Sequence, residues 1–158
     1  MIEVRKIREE EKEIFKDMFY KYHNELSQYS TRLRDINLTD EYIEKIFNYE
    51  YSQKMFLVND NEVVGFCIVD LNGYERSSSY YFLDEFYILP EYRRKRYGTE
   101  AIESILTEFQ GEWHMYILKD NLIAQKFWCN VFNSINYDVI PLEEELPDDC
   151  LLWWVSKR

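Results

Sequence analysis

Residues 90–102 read PEYRRKRYGTEAI, gathering Arg93, Arg94, Lys95 and Arg96 in a chain whose formal net charge is −11. The run follows an apolar strand-like segment that ends at Pro90. It precedes a helical pattern in which Ala101, Ile102, Ile105, Leu106 and Phe109 share one face. Neighbouring cations repel, so an anion or a thick shell of water has to compensate them. The first backbone N–H groups of a helix lack intrahelical acceptors and sit at the positive end of the helix dipole. With Arg and Lys beside them they form a ready phosphate site, and Gly98 allows close backbone approach. A solvated basic turn would satisfy the charges as well, so on charge alone both readings stand.

Upstream, SSYYFLDEFYIL (78–89) reads as a long strand. KMFLV and VVGFCIV are apolar, β-branched runs joined by the polar turn Asn59-Asp60-Asn61-Glu62, and Asn72-Gly73 marks another turn. IEVRK is a short first strand. Ile14, Phe15, Met18, Phe19, Tyr22 and Leu26 recur at helical spacing, which predicts a helix from about Glu9 to Leu26. A second helix is expected after Thr39 as N-cap, with Ile43, Ile46 and Phe47 inward. Downstream, the helix after the basic run should stop at Gly111. WHMYIL is a strand, and Asp120 is expected to cap a helix carrying Ala124, Phe127, Trp128 and Val131. A short strand near Tyr137 to Ile140, an acidic loop and the strand CLLWWVS close the chain. The order β-α-α-β-β-β-α-β-α-β-β predicts an α/β (α+β) fold with a mixed, mostly antiparallel central sheet flanked by helices.

The 158 residues, 46% of them hydrophobic and 18% aromatic, fit a single domain spanning 1–158 with its own core. Cys67, Cys129 and Cys150 show neither CxxC nor Cys/His spacing, so neither a disulfide framework nor a metal site is expected. A reduced cytoplasm is the simplest compartment. The charged start, MIEVRKIREEEKEIF, contains no signal-peptide core, and no apolar run reaches membrane-spanning length. The acidic balance argues against nucleic acid as a partner and suits a cationic small substrate.

RRKRYG, residues 93–98, resembles the pyrophosphate-binding loop of the GNAT family of N-acetyltransferases. That loop reads Gln/Arg-x-x-Gly-x-Gly/Ala between a strand and a helix. Here Arg96 stands at the first glycine. NLIAQKFW, residues 121–128, resembles the family's Asn-x-x-Ala-x-x-Phe-Tyr segment, with Trp128 at the tyrosine. The resemblance is strongest over residues 80–132. It implies the acyl-CoA N-acyltransferase fold, acetyl-CoA as co-substrate and no metal. It also implies that Phe86, Tyr87 and Ile88 pair with the pantetheine arm like an added strand. Arg93, Arg94, Lys95, Arg96, Tyr97, Gly98 and Thr99 would surround the pyrophosphate. Asn121 would contact pantetheine or order nearby backbone, and Trp128 would pack beside the cofactor.

The implied reaction is direct acetyl transfer to a primary amine of a small molecule or peptide. A carboxylate takes the amine proton, directly or through water, and strand N–H groups polarise the thioester carbonyl. Glu85 and Asp84, adjacent acids inside the apolar strand, are the candidate bases, with Glu85 preferred. In a regular strand they point to opposite faces. An indole is no general acid, so a proton for the leaving thiolate would have to come from Tyr137, Tyr116, Cys129 or His114, if from any. His23 and His114 also have ordinary structural readings. The resemblance implies that Gln28 to Asn37 lines the acceptor cleft, where an ordinary loop is the plain reading, and residues 142–150 read as an acidic loop. A non-catalytic acyl-CoA-binding or sensing domain of the same fold is the alternative, supported by Arg96 and Trp128. An unrelated module binding some other anion is a third. Trp153 and Trp154 face opposite ways, which leaves one available to a homodimer surface.

Overall fold

The computed structural model describes residues 1–71, 80–143 and 147–158; the Asn72-Gly73 turn and residues 144–146 of the acidic loop lie outside them. The elements in order are β1 (Glu3–Lys6), α1 (Lys12–Leu26), α2 (Thr31–Arg34), α3 (Asp40–Asn48), β2 (Ser52–Asn59), β3 (Glu62–Asp70) and β4 (Tyr80–Ile88). Then follow α4 (Tyr97–Glu108), β5 (Glu112–Leu118), α5 (Leu122–Ser134), β6 (Tyr137–Leu142) and β7 (Cys150–Lys157). The strands form a seven-stranded sheet in the order β1-β2-β3-β4-β5-β7-β6. Only β4 and β5 run parallel; the other pairs are antiparallel. The fold is thus the mixed, mostly antiparallel sheet between helices that the element order predicts. Among the described residues, no helix is long and apolar enough to cross a membrane.

Helices cover the sheet on both sides. Ile102 and Ile105 of α4 and Val131 and Phe132 of α5 pack on Leu83 and Met115. On the opposite face, Phe15 and Phe19 of α1 and Ile43 and Phe47 of α3 pack on Phe56 and Phe66. The buried stripe of α1 is Phe15, Met18 and Phe19, with Tyr22 packed against its margin. Ile14, which shares their helical spacing, lies outside that stripe and is 45% exposed. Thr39 caps α3 as expected, its Oγ1 accepting from the Tyr42 N–H at 3.1 Å.

Two helix boundaries differ from the sequence reading. α4 ends at Glu108 rather than at Gly111, and no described glycine has a positive φ. The Trp113 indole N–H donates to the Phe109 carbonyl at 3.0 Å, which satisfies one of the terminal acceptors without a left-handed glycine. α5 is capped by Asn121, not Asp120: the Asn121 Oδ1 accepts from the Ala124 N–H at 3.1 Å. Gln28 to Asn37 is not loop throughout. Ser30 caps the short α2 by accepting from the Leu33 N–H at 3.1 Å.

Gly65 sets the spacing between β3 and β4. A Cβ there would lie 2.1 Å from the Tyr87 carbonyl oxygen, a backbone atom that cannot swing away. Gly65→Ala is expected to destabilise the fold by about 2–3 kcal/mol, measured by urea denaturation. A loss below about 0.5 kcal/mol would mean that the two strands can part freely.

Candidate active site

β4 pairs with β5 only where Tyr80, Tyr81, Phe82 and Leu83 face Glu112, Trp113, His114 and Met115. Beyond Leu83 the two strands separate, while β4 stays paired to β3. The cause is visible in the β3–β4 register. Val69 faces Leu83 but Ile68 faces Glu85, so Asp84 is an extra residue. Such a bulge bends its strand and increases its twist. It also corrects the expectation that Asp84 and Glu85 point to opposite faces, because the alternation stops at the bulge. Leu83 belongs to the core beneath α4 and α5, whereas Glu85 lies beside Tyr22 of α1, and both carboxylates act on the Tyr22 hydroxyl.

The electrostatics of this corner are unusual. Burial, then the Asp84 charge, raises the Glu85 carboxyl from the ordinary 4.5 to about 8; the Tyr22 hydroxyl acts in the opposite direction. Asp84 reaches solvent but is surrounded by protein on most sides. That restricted hydration, reinforced by the Asp70 charge, raises it to about 6. Burial, then Glu85, pushes Tyr22 well above its ordinary value. A carboxyl that titrates close to neutrality in a cleft is suited to exchanging protons with a substrate.

Separation of the strands leaves backbone groups of β4 without a sheet partner. The Tyr87 carbonyl lies against Gly65 of β3, and the Leu89 N–H donates to the Val64 carbonyl at 2.9 Å. By alternation, the backbone of Phe86 and Ile88 faces the opening. The Ile88 carbonyl accepts from the Arg93 Nε at 2.8 Å. Tyr87, by contrast, turns its backbone to β3 and its ring into the α1-side core.

The basic run wraps the head of α4. Arg94 and Arg96 are left-handed, with φ of 62° and 65°. Arg96 is the N-cap, without a side-chain cap bond. The first helical hydrogen bond runs from the Glu100 N–H to the Arg96 carbonyl at 3.1 Å, so the N–H groups of Tyr97, Gly98 and Thr99 precede it. The one acid of that first turn, Glu100, accepts from the Ile2 N–H at 2.8 Å. Arg94, Lys95 and Arg96 are exposed. Arg93 is engaged differently: its Nη1 and Nη2 donate to the Glu25 carboxylate, both at 2.7 Å.

α5 supplies the other wall. Trp128, 7% exposed, packs edge-on against Phe86 with ring centroids 5.0 Å apart. It also stacks on Phe132 at 5.6 Å. Phe127 is 37% exposed. It lies over Gly98, where a Cβ would come within 2.6 Å of its ring, so that glycine also serves helix packing. Asn121 spends its side-chain oxygen on the helix cap.

The other proton-transfer candidates are dispersed. Tyr137 packs on the α4/α5 side of the sheet, and Cys129 is exposed on α5. His114 sits 4.7 Å from the Tyr80 ring, and Tyr116 stacks on Phe82 at 5.2 Å. His23 is architectural, its Nε2 2.9 Å from the Leu33 carbonyl of α2. Ser30, bonded to Asp149, ties the α1–α2 connection to the segment before β7. Between them lies a crevice of about 420 Å³ reached by Tyr29, Arg34, Asp120 and Asp148. Among the described residues, no group of three or more His, Cys, Asp or Glu side chains could hold a metal.

The sequence matches the acetyltransferase (GNAT) family over residues 8–130, well over half its length. The chain belongs to the GNAT family of acetyltransferases. No curated protein sequence matches it significantly. Among solved structures, it resembles an acetyltransferase from Thermus thermophilus at a TM-score of 0.71 and 14% identity, covering 98% of this chain and 96% of that one. A spermidine N-acetyltransferase from Vibrio cholerae, in complex with CoA and spermine, gives 0.71 and 9%, covering 98% and 93%. A diaminobutyrate acetyltransferase from Paenibacillus lautus, in complex with L-2,4-diaminobutyric acid and coenzyme A, gives 0.67 and 10%, covering 99% and 95%.

In this GNAT chain, Arg96 occupies the loop position where the family pattern has its first glycine, and it adopts left-handed geometry there, at φ 65° and ψ 7°. An L side chain in that region costs about 1–2 kcal/mol. Arg96→Gly is therefore expected to stabilise the ligand-free protein by about 1 kcal/mol, read from urea denaturation. An equal or lower stability would show that the arginine makes a compensating interaction in the native loop.

Proposed function

We propose that the chain is an acetyl-CoA-dependent N-acetyltransferase acting on a primary amine, with Glu85 as general base. The observation that carries this reading is the opening of β4 from β5, with a near-neutral carboxyl on one side of it and an uncapped, cation-rich helix start at its end.

The residues fit acetyl-CoA at each point. The N–H groups of Tyr97, Gly98 and Thr99 suit the pyrophosphate, with Arg94, Lys95 and Arg96 supplying charge. The exposed backbone of Phe86 suits an extended pantetheine arm. Trp128 supports Phe86 from behind, a packing role that asks no acid chemistry of its indole.

In the reaction, the amine nitrogen attacks the thioester carbonyl carbon. A C–N bond forms, the C–S bond breaks, and the electron pair leaves on sulfur as coenzyme A thiolate. The amine proton passes to the Glu85 carboxylate, directly or through water. A carboxyl titrating near 8 is a better proton acceptor than an ordinary one, though less of it is ionised at neutral pH. Asp84 beside it favours a cationic acceptor, as does the net charge of −11. The Vibrio and Paenibacillus structures, whose bound ligands are a polyamine and a diamino acid, support an acceptor with a second ammonium group.

The test is calorimetric titration with acetyl-CoA and desulfo-coenzyme A, then an amine panel. Binding of both and turnover of a diamine or polyamine are expected. Saturation at 100 times the dissociation constant should stabilise the fold by about 2.7 kcal/mol. A folded sample that binds neither ligand would end the enzyme reading.

A further inference from the structure

Arg93 opens the basic run, but its side chain faces away from the helix start. It ties three elements together. Its Nε donates to the carbonyl of Ile88, the last residue of β4, at 2.8 Å. Its two terminal nitrogens hold Glu25 in α1, each at 2.7 Å. Its guanidinium carbon lies 5.5 Å from the centre of the Tyr87 ring. These bonds use three of the five guanidinium N–H donors, two of them in a bidentate grip on one carboxylate. Two further anchors hold the loop to the β2–β3 hairpin: the Tyr92 hydroxyl donates to Glu62 at 3.0 Å, and Asn59 Nδ2 donates to the Tyr97 hydroxyl at 3.1 Å. Both attach to the hairpin. Among these anchors, only Glu25 ties the loop to α1, the helix that also carries Tyr22 against the base.

We infer that Glu25 is a positioning residue for the cofactor: through Arg93 it holds the loop of left-handed Arg94 and Arg96 in its anion-binding shape. The inference rests on the reading of that loop as the pyrophosphate cradle. Plain electrostatics predicts the reverse sign. A carboxylate next to an anion site repels the anion, so neutralising it should tighten binding. If Glu25 acts by positioning, neutralising it should weaken binding, because Arg93 loses its grip and the two left-handed residues relax toward commoner backbone angles. The pair is also partly solvent-exposed, at 39% and 37% for the two side chains, so its loss should hardly change global stability.

The experiment titrates coenzyme A into the wild type, Glu25→Gln, Arg93→Lys and the double variant, with thermal melts alongside. Glu25→Gln is expected to weaken coenzyme A binding roughly fivefold. Its melting temperature should stay within about 2 °C. Arg93→Lys keeps the charge but not the fork, and should weaken binding similarly. The double variant should be no worse than either single one, since both break the same link. If the wild type binds and Glu25→Gln binds equally or more tightly, the positioning role falls and the cofactor reading survives. If Lys substitutes fully for Arg93, the side chain acts as a point charge and the latch is wrong. If the folded wild type does not bind coenzyme A, the cofactor reading fails and this inference fails with it.

Discussion

Glu85→Gln is expected to lower kcat/KM for acetyl transfer by about 10²–10³, while leaving coenzyme A affinity within about twofold. Glutamine matches the shape of the protonated carboxyl but cannot accept the amine proton. The pH profile supplies the sharper signature. In the wild type, log kcat/KM should climb with pH and bend near 8, where Glu85 ionises. In the variant that limb should vanish. Asp84→Asn removes the like charge that helps raise Glu85, so its limb should move to lower pH. A Glu85→Gln enzyme that keeps both its rate and its limb would assign the base elsewhere.

The same substitution is expected to stabilise the protein in alkali. The Glu85 carboxyl has a folded value of about 8 against an ordinary 4.5. Between those values the native state holds a proton that the unfolded chain has released. The native state therefore binds more protons, and stability falls as pH rises through this window. Glu85 contributes its full stabilisation below about pH 4.5 and has lost it above about pH 8. The loss amounts to on the order of 4 kcal/mol, and less to the extent that water reaches the carboxylate. A glutamine has no proton to lose. Wild type and Glu85→Gln should match closely in urea denaturation at pH 5, and the variant should lead by several kcal/mol at pH 9. Parallel curves at both pH values would mean that Glu85 is ordinary and well hydrated. Together, the two results would show stability given up for function at one carboxyl.

Much of this was legible in the sequence because the relevant signals are local. The strand–loop–helix around RRKRYG, the Thr39 cap and the Asn59-to-Glu62 hairpin turn depend on residues close together in the chain. The adjacent acids in β4 stood out for the same reason: charge inside an apolar strand is costly. What stayed hidden depends on partners far away in sequence. The bulge at Asp84 exists only in register with Ile68 and Val69, and strand alternation read from one strand alone misplaces the acids. The Trp113 indole that caps α4 does so from the next strand. The Arg93–Glu25 link spans 68 positions, so counting charges within the basic run could not show that one of its four cations is already engaged. Asn121 illustrates a closer miss: Asp120 and Asn121 are both good caps, and only the geometry chooses.

β4 is written in two phases. Before residue 84, odd-numbered side chains such as Tyr81 and Leu83 face the α4/α5 core; after it, even-numbered ones such as Phe86 and Ile88 do. Asp84 is thus a punctuation mark in the chain as well as a carboxylate. Replacing its side chain alters a charge, whereas deleting the residue would leave Leu83 and Glu85 adjacent opposite Val69 and Ile68, a regular ladder with every later side chain on its present face but no bulge. β4 would lose the bend and added twist at the point where it leaves β5, and with them the opening. Chains related to this one should therefore vary the identity of residue 84 more readily than they omit it.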